Sequence, residues 1–128
     1  MAVDKNMPIL IVDDYKTMLK IVRGLLNQLG FNNIDEATDG SMAWTMLEEK
    51  PYKMVLSDWN MEPMSGLQLL QKIRADERFK LLPFIMVTAE TKTENILIAK
   101  KSGVNNYIIK PFNLATLKQK LQAVIGNF

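Results

Sequence analysis

With 128 residues, 48% of them apolar, the chain has the size and core-forming capacity of a single domain spanning 1–128. Sixteen basic side chains against 14 acidic ones leave a net charge of +2, too balanced to argue for nucleic acid, and apolar runs of four or five residues exclude a transmembrane span. Cys and His are both absent, so disulfides, the usual general base and the commonest transition-metal ligand are excluded, and any chemistry must run on carboxylates, hydroxyls and amines. The start MAVDKNMP is too polar and short for a secretory signal, and a cytoplasmic monomer is expected.

In chain order, ILIV at 9–12 reads as a first strand and runs straight into Asp13 and Asp14. Met18, Val22, Leu25 and Leu29 then recur at helical spacing before Gly30, a good helix-ending residue. NIDEA at 33–37 is a second strand, followed after Asp39-Gly40 by a helix carrying Ala43, Met46 and Leu47. MVLS at 54–57 is a third strand ending at Asp58, and Ser65-Gly66 opens a third helix with Leu67, Leu70 and Ile73. FIMVT at 84–88 is a fourth strand ending in Thr88. Thr91 with Glu94 has the spacing of a capping box opening a fourth helix through about Lys101. NYIIK at 106–110 is a fifth strand ending in Lys110, and Asn113 can cap a fifth helix with Leu114, Leu117, Leu121 and Val124 on one face.

Most of these strands are continuously apolar rather than alternating, the habit of strands buried on both faces. Five strand-helix units in regular succession therefore predict an α/β fold, a (βα)5 doubly wound five-stranded parallel sheet with helices on each side. In such sheets ligands bind outside the carboxyl ends of the strands, so the residues just after each strand are the informative ones. They are Asp13, Asp14, Asp58, Thr88 and Lys110.

Two unit charges about 4 Å apart repel by roughly 4 kcal/mol at an effective dielectric near 20, so three clustered carboxylates call for a cation. Lys110 offers one charge. A hard divalent ion with oxygen ligands suits the cluster, and Mg²⁺ suits it best if the site handles phosphate, because it keeps waters and takes one or two carboxylates. A carboxylate beside Mg²⁺ can act as a nucleophile and form an aspartyl phosphate, with Thr88 donating to one phosphoryl oxygen and Lys110 pairing with another. No dedicated base for water accompanies the set, which predicts a persistent covalent state rather than rapid turnover.

The pattern ILIVDD, then SDWNM, MVTAE and YIIKPF, resembles the receiver domain of bacterial two-component response regulators, and the resemblance covers essentially the whole chain. It implies the strand order 2-1-3-4-5, which belongs to the family and is not read from the periodicity. It also implies Asp58 as phosphoacceptor, Asp14, Asp58 and the carbonyl of Asn60 as Mg²⁺ ligands, and Asp13 acting on the metal mostly through water. Thr88 and Lys110 would bind the phosphoryl group. Thr88 would move toward that group and vacate space into which Tyr107, the aromatic switch residue, turns. The Lys110-Pro111 bond would be cis. Asn60 and Glu90, each two residues beyond a site residue, would tune phosphoryl lifetime.

The family usually reads M-P-x-M-D-G after the acceptor, whereas this chain reads Met61-Glu62-Pro63-Met64-Ser65-Gly66. The proline is displaced by one, and Glu62 brings an extra carboxylate to the metal loop. Lys16 likewise stands where a small residue is usual. Lys92, Lys100, Lys101, Lys118 and Lys120 with Tyr107 would form the partner face of the fourth helix, fifth strand and fifth helix. The implied partners are a histidine kinase, a flagellar switch protein and a phosphatase.

Taken singly, each feature has a plainer reading: Asp13-Asp14 as a helix cap, Thr88 as a satisfied strand hydroxyl, the lysines as a solvated face. Their joint placement at the strand ends favours the site. A Mg²⁺-dependent aspartyl-phosphate phosphatase would want an aspartate where Asn60 stands, and a mononucleotide binder would want a glycine-rich loop in place of DDYKT. A phosphorelay carrier or phosphate sink with no motor target stays open.

Overall fold

The computed structural model describes residues 3–128; Met1 and Ala2, part of the polar start noted above, lie outside the described residues. The elements follow in strict alternation: β1 (Ile9–Val12), α1 (Lys16–Gln28), β2 (Ile34–Ala37), α2 (Gly40–Glu49), β3 (Met54–Ser57), α3 (Gly66–Ala75), β4 (Phe84–Thr88), α4 (Thr93–Lys101), β5 (Asn106–Ile109) and α5 (Leu114–Ile125). All neighbouring strands are parallel, and the sheet order is β2-β1-β3-β4-β5, as the resemblance implies.

Period-two alternation divides the strand residues between two cores. Ile9, Ile11, Leu56, Ile85, Val87 and Ile108 face Leu19, Val22 and Leu26 of α1 and Leu117 and Leu121 of α5. Leu10, Val12, Val55, Phe84 and Met86 face Ala43 and Leu47 of α2, Leu69, Leu70 and Ile73 of α3, and Ala99 of α4. β1, β3 and β4 are buried at every position, which is why they read as unbroken apolar runs. β2 lies at the sheet edge and is only half-buried at Asp35 and Glu36.

The buried stripe of α1 is Leu19, Val22 and Leu26, with Met18, Leu25 and Leu29 packed along its flank. The sequence pattern thus finds the right helix but places its centre about one residue off. No helix among the described residues is long and apolar enough to cross a membrane.

Three helices have side-chain caps, of which the sequence reading anticipates the one at Asn113. Asp39 accepts the N–H groups of Ser41 and Met42, Ser65 and Gln68 form a reciprocal capping box, and Asn113 accepts Thr116 N–H at 2.8 Å. The fourth departs: Thr91 and Glu94 do not form the expected box. α4 begins at Thr93 behind Lys92, with no side-chain cap. The carboxylate of Glu90 takes the Lys92 N–H instead, at 3.1 Å, so the turn before α4 is closed one residue earlier than the Thr91 spacing predicts.

Candidate phosphoacceptor and cation site

The carboxyl ends of β1 and β3 lie side by side because Val12 pairs with Ser57, and Asp58 N–H continues the ladder to Val12 O at 2.9 Å. Asp13, Asp14 and Asp58 are thereby brought together, and each offers an oxygen within 4.8 Å of the others. β5 delivers the amine: Lys110 N–H donates to Thr88 O at 2.8 Å, and its ammonium lies 2.9 Å from Asp13 Oδ2 and 3.4 Å from Asp58 Oδ1. The Lys110-Pro111 peptide is cis, as the resemblance implies, and so is Glu62-Pro63, which the sequence reading does not anticipate.

The three carboxylates are not equivalent. Asp13 is buried, with Oδ1 accepting Tyr15 N–H at 2.9 Å and Oδ2 taken by Lys110. Both of its oxygens are thus engaged. It closes the turn into α1 without capping the helix, whose N-cap is Tyr15 and has no side-chain bond. Asp14 is exposed, and Asp58 is 8% exposed. Burial, the largest cause, holds the Asp58 carboxyl above its ordinary value, and the charge of Asp13 adds to this; Lys110 and the Trp59 N–H oppose it without cancelling it. Three carboxylates facing one ammonium leave an uncompensated negative centre walled by apolar strands. Clustered acidic oxygens of this kind are a donor set for a hard divalent ion, so the residues present fit Mg²⁺.

Behind Asp58, the loop at 59–66 is tied down on both sides. Gly66 N–H donates to Trp59 O at 2.8 Å and Gly40 N–H to Met64 O at 3.1 Å. A Cβ on Gly66 would stand 1.9 Å from Asp58 O, so only glycine permits this approach. Sequence reasoning assigned Gly66 to a helix start and missed this contact. Met61 is buried in the core, whereas Asn60 and Glu62 are exposed. Both line a cleft of about 430 Å³ together with Asp14, Trp59 and Ser65.

On the other flank, Thr88 is fully buried, and its hydroxyl oxygen accepts Glu90 N–H at 3.2 Å. The carbonyl of the same Glu90 accepts the Tyr107 hydroxyl at 2.8 Å. Tyr107 is therefore already held inward, 8% exposed, where the resemblance has it turning inward only once Thr88 has moved, and burial is the main cause pushing its hydroxyl up to about 12. Thr88 and Tyr107 do not meet directly; residue 90 links them. The Lys92 N–H holds the Glu90 carboxyl below its usual range.

Of the lysines, Lys92, Lys100, Lys101 and Lys118 are exposed and Lys120 is half-buried. Lys100 and Lys101 occupy the last turn of α4, where they also complement its negative end. Lys120 alone of the set lines the depression beside Tyr107, with Ile109, Pro111, Phe112 and Thr116.

Residues 9–122 match the family model described as the response regulator receiver domain. The chain is 54% identical over 121 residues to chemotaxis protein CheY-3 of Vibrio cholerae, covering 94% of this chain and 93% of that one. It is 48% identical over 118 residues to chemotaxis protein CheY of Pseudomonas aeruginosa, covering 92% and 95%. Among solved structures, Vibrio cholerae CheY4 superposes with a TM-score of 0.86 at 30% identity, covering 93% of this chain and 98% of that one. The receiver domain of a Pseudomonas aeruginosa sensor histidine kinase, described with a magnesium ion coordinated in its active-site cleft, superposes with a TM-score of 0.85 at 29% identity, covering 95% and 99%.

Proposed function

Since the chain belongs to the response regulator receiver family, we propose that it is a phosphorylation-dependent switch of a chemotaxis two-component system, with Asp58 as acceptor. The observation that carries this reading is the under-compensated carboxylate cluster, whose ammonium lies 3.4 Å from Asp58 and on whose flank the Thr88 hydroxyl is buried.

An Asp58 oxygen forms a bond to phosphorus as the phosphorus–nitrogen bond of a kinase phosphohistidine breaks, leaving the imidazole on the donor. Asp14 and Asp58, with the Asn60 carbonyl, would hold Mg²⁺, and Asp13, its oxygens already engaged, would act through water. The ion supplies charge neutralisation on the transferring oxygens when bound. Lys110, already beside Asp58, pairs with a second phosphoryl oxygen. The Thr88 hydroxyl turns its proton to a third and, in doing so, reorients the oxygen that now accepts Glu90 N–H. Residue 90 also accepts from Tyr107, so this rearrangement reaches the aromatic ring and the face around Lys92, Lys100, Lys101, Lys118 and Lys120.

Such a switch needs differential binding: moving an equilibrium from 1:99 to 99:1 takes about 5.5 kcal/mol, within reach of several charge-assisted contacts made to one state only. The chain catalyses its own phosphorylation and slow dephosphorylation, with Asn60 and Glu90 controlling water's access. The partners of this reading are a histidine kinase as donor, a flagellar switch protein as target and a phosphatase for reset.

The test is a small-molecule phosphodonor supplied with and without Mg²⁺, followed by intact mass and Trp59 fluorescence. A Mg²⁺-dependent gain of one phosphoryl group that is lost in Asp58→Asn is expected. No gain in the native protein, or an equal gain in the variant, sinks the mechanism. For the target, capture of the switch protein should require phosphorylation and fail when Lys118 and Lys120 are reversed in charge.

A further inference from the structure

We propose that Glu62 is an outer carboxylate of the cation site: it strengthens divalent-cation binding through the waters the ion retains, without ligating the ion. The inference rests on the Mg²⁺ reading given above.

Glu62 occupies a loop whose path is fixed by its neighbours. Met61 is anchored in the core beneath it, Trp59 O and Met64 O accept Gly66 N–H and Gly40 N–H, and Ser65 closes the loop with a capping box. With the preceding side chain directed inward, Glu62 is left exposed on the cleft that it shares with Asp14 and Asn60. None of the ion pairs among the described residues uses Glu62, and the ammonium nearest the cluster belongs to Asp13 and Asp58. The cleft therefore carries the negative charge of Asp14 and Glu62 with no cation of the chain assigned to either.

Mg²⁺ gives up its waters reluctantly and rarely takes more than two carboxylates, so a further carboxylate at the rim of a wet cleft acts on the hydrated ion. A unit charge several ångströms from a divalent ion in a largely aqueous path changes affinity by about three- to tenfold at low ionic strength, and screening removes most of that at high ionic strength. Direct ligation would leave a difference that salt barely alters.

The experiment is calorimetric and fluorescence titration with MgCl₂ of the native chain, Glu62→Gln, Glu62→Asp and Asp14→Asn. It is run at ionic strengths of about 0.01 M and about 1 M, where the Debye length is roughly 30 Å and 3 Å. Glu62→Gln should raise the dissociation constant about three- to tenfold at low ionic strength, with the gap closing at high ionic strength and Glu62→Asp retaining most of the native affinity. Equal or tighter binding by Glu62→Gln overturns the proposal, and so does a gap that salt leaves unchanged. Absence of native binding, or normal binding by Asp14→Asn, overturns the underlying Mg²⁺ site together with it, which separates the two failures.

Discussion

Asp35 and Asp58 are both aspartates set against the same sheet, yet their surroundings push them in opposite directions. Asp35 accepts the Tyr52 hydroxyl at 2.6 Å and pairs with Lys50 at 2.9 Å; the first of these, then the second, holds its carboxyl below the ordinary range. Asp58 is pushed above that range by burial, which the charge of Lys110, though it outweighs the repulsion of Asp13, only partly offsets. The edge of the sheet thus uses a carboxylate to gain stability, while the centre bears the cost of holding the Asp58 carboxylate buried and under-compensated. Both position and partners distinguish the two: Asp58 is buried at the centre with its charge under-compensated, whereas Asp35 is half-buried at the edge and fully partnered.

The largest effect should come from the scaffold behind Asp58. Gly66→Ala drives a Cβ into Asp58 O, at 1.9 Å, and is expected to cost about 3 kcal/mol in urea unfolding while displacing the acceptor loop. A wild-type unfolding midpoint would show that the loop relaxes freely.

Next come paired substitutions that set the two aspartates against each other. Asp58→Asn should stabilise the chain by about 1–2 kcal/mol at pH 7 in chelator, while Asp35→Asn should destabilise it by about 1 kcal/mol, half-exposed as the Lys50 pair is. The sign for Asp58 follows from its raised folded value: the native carboxyl costs nothing below the unfolded value of about 3.9, and its penalty develops as pH rises through the folded value. The advantage of Asp58→Asn should therefore shrink toward acid pH. Equal signs for the two variants would erase the contrast.

Mg²⁺ sharpens it. At ten times its dissociation constant the ion should add about 1.4 kcal/mol to the native chain and to Asp35→Asn alike, and nothing to Asp14→Asn, measured by thermal unfolding. A similar gain in Asp14→Asn would place the ion elsewhere.

The smallest effect is Tyr52→Phe, expected to cost about 1 kcal/mol at pH 7 through loss of its hydrogen bond to Asp35. Because the folded value of Asp35 is lowered, this contribution is present above the unfolded value and fades as pH falls through the folded one. Urea midpoints at pH 7 and pH 3 check it, and a cost that does not change with pH would remove Asp35 from the account.

Strand positions were legible because β1, β3 and β4 are buried on both faces, so their composition alone marks them, and the strand-end residues Asp13, Asp58, Thr88 and Lys110 followed directly. The strand order was not contained in periodicity; it came with the family resemblance, since alternation does not say which crossover goes to which side. The capping box at Thr91 fails because the turn closes around Glu90, whose carboxylate takes the neighbouring Lys92 N–H and whose carbonyl takes the Tyr107 hydroxyl from β5.

The sequence by itself determined the alternation of strands and helices, the residue types at the strand ends and the surplus of negative charge there, because each depends on local pattern and composition. Only the tertiary structure decided how that charge is shared. It gave Lys110 to Asp13 before Asp58, left Asp14 exposed, closed the loop after Asp58 over Gly66 and joined Thr88 to Tyr107 through residue 90. Lys110 meets Asp13 across 97 residues of chain and Tyr107 meets Glu90 across 17, contacts set by strand register that no local pattern encodes.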